Sequence, residues 1–210
     1  MKPILFKPDM VSAILTGNKT QTRRIVKISD EELGELNYEA ITIGRDSQLG
    51  WIVWVGRKIV KRLKPKYEVG DILWVREIWQ WEGETKYTDA IPIGNFWYKT
   101  DFEEGEGPSR WKPSIHMPKI ACRLFLEVTD IRVEKLQNIS EDGCKAEGIE
   151  SNTFINGMEK ITAYKIYGSK NSWDESPIVS YWSLWESING PGSWESNPFV
   201  WVIKFKRHEM

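Results

Sequence analysis

The chain has 210 residues, 40% hydrophobic and 28% charged, a balance that excludes a disordered chain and suits one core with insertions. Its formal net charge of -1 gives no global basic signature of a nucleic-acid binder, and two cysteines, Cys122 and Cys144, are too few for a disulfide framework. No apolar run reaches membrane-spanning length and Met1-Lys2-Pro3 lacks a signal peptide's apolar region, so a cytoplasmic protein without a membrane partner is expected.

Pro8 to Thr16 predicts a short helix. Met10, Val11, Ile14 and Leu15 share one face, and Gly17 stands where a C-terminal glycine cap is expected. Thr20 to Val26 has the β-branched content and alternation of a strand. Helix end, tight turn and strand start thus coincide at Gly17-Asn18-Lys19-Thr20-Gln21-Thr22-Arg23-Arg24. Such a turn can present an ammonium, a hydroxyl and a guanidinium to one anionic or polar ligand. A solvated basic turn leading into an edge strand accounts for the same residues.

Residues 28 to 60 look like an insertion. Its acidic run (Asp30, Glu31, Glu32, Glu35, Glu39) separates the basic group Lys19, Arg23, Arg24 and Lys27 from a second one, Arg57, Lys58, Lys61, Arg62, Lys64 and Lys66. Local patches of this kind can follow a phosphate backbone. Trp51, Val53 and Val55 alternate, which predicts a hairpin strand closing at Gly50 or Gly56. After a turn at Pro65 to Asp71, Ile72 to Trp79 reads as one strand buried on both faces. Arg76 and Glu77 are expensive there unless paired; a structural ion pair and a ligand contact both fit.

Residues 82 to 110 form a second excursion, with one short strand at Phe96-Trp97-Tyr98. In the irregular stretch Trp111 to Pro118, Trp111 and His116 can line a pocket or plug the end of a barrel. Ala121 to Thr129 alternates as a strand, Asp130 turns, and Ile131 to Leu136 is a second strand. Ser140 is an N-cap for a short helix that ends at Glu147-Gly148. A carboxylate at that end is opposed by the helix dipole, so Glu147 is expected to have another task, although a solvated glutamate would lose little.

Phe154 to Asp174 has a weak pattern and reads as loop with one poor strand or turn. Ser176-Pro177 opens the best helix, burying Ile178, Tyr181, Trp182, Trp185 and Ile188 and stopping at Asn189-Gly190-Pro191. Phe199, Trp201, Ile203 and Phe205 alternate in a closing, half-exposed strand. Antiparallel strands with three short connecting helices indicate an α+β class: one domain over 1–210, built as a small mixed β-barrel. Twelve tryptophans leave some aromatic faces free to stack on bases.

His116, His208, Cys122 and Cys144 have no zinc spacing, and no dinucleotide or Walker glycine motif is present, so neither metal nor cofactor is expected. The motif Gly17-x-Lys19-x-x-Thr22-x-Arg24 resembles the ASCH domain family of the PUA-like superfamily. The likeness continues through Gly70-Asp71, Val75-Arg76-Glu77, Trp111-x-Pro113-Ser114-Ile115-His116-Met117-Pro118, Ser140 to Gly148 and Trp201 to Phe205. It is greatest to the longer ASCH proteins of phages and prophages, with 28–60 and 82–110 as additions.

This resemblance implies a PUA-like β-barrel that recognises RNA or a modified nucleoside, with Arg24, Arg76, Glu77, Trp111 and His116 as candidate ligand contacts. Some small ASCH proteins are amidohydrolases that remove the acetyl group of N4-acetylcytidine. The positions matching their catalytic residues are Lys19 as base, Thr22 as nucleophile and Glu147 as acid. In a regular strand Lys19 and Thr22 would face opposite ways, so Lys19 must lie in the turn, before alternation begins.

Overall fold

The structure, a computed structural model, describes residues 1–28, 41–82, 95–157 and 159–209. The acidic run from Asp30 to Glu39 lies outside these residues, as does most of the first half of the second excursion. In chain order the first half contains β1 (Lys2–Leu5), α1 (Pro8–Leu15), β2 (Gln21–Ile25), β3 (Ile41–Asp46), β4 (Gly50–Val55), β5 (Lys58–Leu63), β6 (Ile72–Arg76), β7 (Trp79–Glu82) and β8 (Asn95–Tyr98). The second half contains β9 (Phe125–Lys135), α2 (Glu141–Ala146), β10 (Ser151–Asn156), β11 (Glu159–Lys165), β12 (Trp173–Asp174), α3 (Pro177–Asn189) and β13 (Phe199–His208).

The class is α+β. A mixed five-stranded sheet in the order β1-β6-β9-β13-β2 forms the centre, with β1 parallel to β6 and the other pairs antiparallel. Among the described residues the sheet does not close into a barrel: β1 and β2 are its two edges. They are nevertheless close enough for Arg24 Nη2 of β2 to donate to the Leu5 carbonyl at 3.1 Å. The Arg24 guanidinium lies 5.5 Å from the centre of the Phe6 ring.

The main core joins sheet residues such as Leu73, Leu126, Val128, Val200 and Val202 to Val11 and Ile14 of α1, Cys144 of α2, and Tyr181 and Trp185 of α3. Each fully buried valine, leucine or isoleucine contributes about 1.5–3 kcal/mol. A second cluster under the β7–β8 hairpin holds Trp79, Tyr98, Met117 and Ala121. The third lies in the β3-β4-β5 sheet, where Ile41 and Val53 meet Phe199 of β13. Trp51 of β4 also meets Trp201 of β13 edge to face at 5.2 Å, so this inserted sheet rests on the central one.

Several expectations are corrected. Residues 72–79 are two strands, β6 and β7, in different sheets. The break falls at Glu77, which leaves the ladder to meet Arg123 and Thr100. Conversely, the turn expected at Asp130 is absent. The chain runs through it as β9, and the extra residue is absorbed as a register shift opposite Lys204 and Phe205. The stretch from Phe154 to Asp174, expected to be mostly loop, contributes to a three-stranded sheet, β10-β11-β12.

Helix α3 turns a different face inward. It buries Ser180, Tyr181, Leu184 and Trp185, while Ile178, Trp182 and Ile188 are exposed. The Ser180 hydroxyl donates to the Lys165 carbonyl of β11 at 2.6 Å, which fixes that rotation. In β4, the consecutive residues Ile52 and Val53 are both buried, so the strand is covered on both faces there. Strand β13, expected to be half exposed, lies between β9 and β2 and buries Val200, Val202, Ile203 and Phe205. Among the described residues no helix is long and apolar enough to cross a membrane.

Candidate functional site

Helix α1 ends with Gly17 at φ +80°, and the chain turns back towards β2. In that turn the Lys19 N–H donates to the Ala13 carbonyl at 2.9 Å and the Thr20 N–H to the Ala146 carbonyl at 2.9 Å. Lys19 and Glu147 form a single antiparallel backbone pairing ahead of the β2 ladder. Lys19 therefore lies in the turn, as a joint role with Thr22 requires. The end of α2 is capped in part by this segment, since the Ala146 carbonyl accepts from the Thr20 N–H. Gln21 Nε2 donates to the Gly143 carbonyl at 2.9 Å, and Lys19 Nζ to the Glu147 carbonyl at 2.6 Å.

Glu147 is the hub. Its Oε2 accepts from Lys19 Nζ at 3.0 Å and its Oε1 from Arg23 Nη1 at 2.9 Å. Arg23 Nη2 continues to Glu134, whose other oxygen accepts from Arg132 Nε at 3.0 Å. Lys19, Arg23 and Glu147 are 2%, 3% and 4% exposed, so these charges stand out of water and depend on one another. This pairing is the further task that a glutamate at a helix C-terminus suggested. Burial pushes the Lys19 ammonium below the ordinary lysine range; Glu147 pulls the other way, and Arg24 and Arg23 add to the lowering. Arg23 Nε is buried without an acceptor among the described residues, which costs about 1–3 kcal/mol.

Gly148 makes the approach possible. A Cβ there would stand 2.7 Å from Lys19 Cβ and 2.8 Å from Ala13 Cβ, and its φ of +79° lies where L side chains are strained.

Beside this cluster opens a cleft of about 280 Å³, lined by Thr22, Arg24, Glu147, Tyr181, Trp185 and Ile188 among others. Thr22 is 1% exposed, and its hydroxyl makes no hydrogen bond among the described residues. Tyr181 comes from α3 with its ring 5.9 Å from the Arg23 guanidinium. Burial, reinforced by the Glu147 charge, pushes its phenol well above the usual range, so it stays a protonated donor. A carboxylate, an unengaged hydroxyl and a phenol therefore line one small, mostly apolar space, with the Lys19 amine bonded to that carboxylate and not itself part of the lining.

Thr22, Glu147 and Arg24 thus line one cleft, Lys19 joins them only through its contact with Glu147, and the other four candidates are placed elsewhere. Arg76 Nε donates to the Met117 carbonyl at 3.1 Å, with its guanidinium 4.9 Å from the Trp74 ring. Glu77 is fully buried and accepts from Arg123 Nε and Nη2, each at 3.0 Å, and from the Thr100 hydroxyl at 2.9 Å. Trp111 packs on Phe102 at 5.6 Å, and His116 is exposed on the short turn Ser114–His116. None of the four lines the cleft.

Arg23 and Tyr181 were not foreseen as site residues. For Arg23 a signal existed: Lys19, Gln21 and Arg23 recur at a spacing of two, and all three reach α2. Tyr181 had none, since a tyrosine on an apolar helix face reads as core. Comparison with protein-family models, with curated proteins and with solved structures finds no match for this chain.

Proposed function

We propose that this chain is a PUA-like protein of the ASCH type that recognises a modified nucleoside, free or within RNA, in the cleft beside Lys19, Thr22 and Glu147. One observation carries the reading: Glu147 lines a cleft together with Thr22 and is bonded there by Lys19, 128 residues away in the chain. A cleft of about 280 Å³ suits a single base, its apolar walls from Trp185 and Ile188 matching the ring faces. Thr22, Arg24 and Tyr181 supply edge donors. The curl that brings Arg24 of β2 to Leu5 of β1 supports reading the sheet as a PUA-like barrel left open between those strands.

A second reading, removal of an acyl group from N4-acylated cytidine, is favoured by the 3.0 Å contact between Lys19 Nζ and Glu147 Oε2. Moving one proton along it converts the resting ion pair into a neutral amine and a carboxylic acid, which are the base and the acid that amide cleavage needs. Lys19 then takes the Thr22 proton, and Thr22 Oγ1 attacks the acyl carbon. Glu147 gives its proton to the departing N4 as the C–N bond breaks, and water releases the acyl group from Thr22.

The deciding experiment incubates the protein with N4-acetylcytidine, follows cytidine by chromatography, and measures binding of the same nucleoside by calorimetry. Thr22→Val keeps the shape of the side chain and removes the nucleophile. Release by the wild type but not by Thr22→Val is expected for a hydrolase. Binding without release leaves recognition alone. Neither binding nor release, with N4-acetylcytidine or with RNA containing it, overturns both readings.

A further inference from the structure

On the other side of Arg24 lies a larger groove of about 470 Å³, between the inserted β3-β4-β5 sheet and the central one. Arg24, Lys27, Lys61, Lys64 and Lys66 line it, and no carboxylate does among the described residues. In a chain of net charge -1, five cations on one groove are a marked local segregation. Lys27, Lys64 and Lys66 form no ion pair among the described residues, and Arg24 donates only to the carbonyls of Arg23 and Leu5. Among the described residues their positive charge is therefore not cancelled by a neighbouring side chain. The floor is apolar, made by Leu63, Ile131, Trp201 and Ile203. Arg24, Ile25 and Lys27 line both this groove and the cleft, so the two spaces adjoin at these residues.

We propose that this groove holds the phosphodiester backbone flanking the nucleoside whose base enters the cleft, so that the ligand is a single-stranded nucleic acid and not a free nucleoside. The inference rests on the reading of the cleft given above. Charge complementarity selects the occupant: a row of cations over an apolar floor matches a polyanion whose sugars and bases carry apolar faces. Phosphates lie along Lys64, Lys66 and Lys27, and Arg24 stands at the point where the base departs from the strand. Trp201, partly exposed on the floor, offers a ring to an adjacent base. The inserted sheet contributes Lys61 and Leu63 to the groove and so builds one of its walls.

The test compares four probes on the intact protein: N4-acetylcytidine, its 5′-monophosphate, and ten-nucleotide single strands of RNA and of DNA carrying that base once. The strands are expected to bind at least about tenfold more tightly than the nucleoside, with the monophosphate between. With roughly three phosphate contacts, a fourfold rise in salt weakens strand binding about 18-fold and leaves nucleoside binding unchanged. The double variant Lys64→Glu, Lys66→Glu loses the advantage of the strands and keeps the nucleoside affinity. A gap between the RNA and DNA arms assigns the sugar.

Equal affinity for nucleoside and strand, or strand binding untouched by the double variant, overturns the groove while the cleft reading stands. Strands held equally with or without the acetylated base, yet lost on charge reversal, retain the groove and overturn the cleft reading.

Discussion

At the scale of single residues, Lys19 and Glu147 define what the cleft can do and what it costs. The folded chain holds Lys19 at a lowered pKa, below the 10.5 of a free lysine. Between those two values the unfolded chain binds more protons than the folded one, so stability rises with pH across that window. Below the folded value the burial penalty is fully present. Tyr181, raised above its ordinary 10.0, acts oppositely and makes stability fall at higher pH. Urea unfolding between pH 7 and 11 should show the rise, and Lys19→Met should flatten it. Gly148 offers a sharper contrast. Gly148→Ala adds a clash with two Cβ atoms to the strain of positive φ, whereas a Cβ at Gly17, also at positive φ, meets open space. Gly17→Ala should cost about 1 kcal/mol in urea and Gly148→Ala clearly more, with loss of the cleft's activity or affinity. The turn residues Lys19 and Thr22 were legible because their neighbours dictate a helix end and a strand start. Glu147 was legible because it opposes a dipole. Tyr181 was not, because only the packing of α3 tells a core phenol from one at a cleft.

At the scale of elements, Glu77 separates β6 from β7. A buried carboxylate held by both faces of the Arg123 fork, with Tyr98 stacked 3.9 Å from that guanidinium, outweighs the strand propensity of its apolar neighbours. Glu77→Ala would leave Arg123 with Asp101 and the Thr100 hydroxyl as its remaining side-chain partners among the described residues. The expected loss is about 3 kcal/mol in urea, with a change in near-ultraviolet circular dichroism from the tryptophans of the β7–β8 cluster. The helices were legible almost to the residue, since Pro8, Ser140, Ser176, Gly17, Gly148 and Gly190 mark their ends. Strand continuity was not. A period of two reports which face is buried, and it is silent on whether a charge such as Asp130 sits in a bulge or a turn. The small β10-β11-β12 sheet was missed because its strands draw on α3 for burial and carry little apolar alternation of their own.

At the scale of the whole molecule, the inserted β3-β4-β5 sheet is joined to the centre through Phe199 and the Trp51–Trp201 contact. Trp51→Ala should leave the main core folded and loosen this attachment. Beyond its lost burial, an aromatic pair of this geometry contributes about 0.5–1.5 kcal/mol. A less steep urea transition, with strand binding weakened more than nucleoside binding, would report the loosening; a strand affinity in Trp51→Ala unchanged from the wild type would show that the attachment does not position the groove. The α+β class was readable from the succession of elements, whereas the open sheet was not, because closure depends on the curl of five strands and not on any one of them. The position of β13 has a consequence in time. This strand, residues 199–208, is the sole ladder neighbour of β2 among the described residues and the last of the sheet to be synthesised. While it is still unmade, the segment carrying Thr22 has no strand to lie against, and the gap between β9 and β2 stands empty. A nascent chain halted before Phe199 would therefore hold Lys19, Thr22 and Glu147 and yet lack the scaffold that gathers them, so competence arrives in one step, close to the end of translation of this stretch.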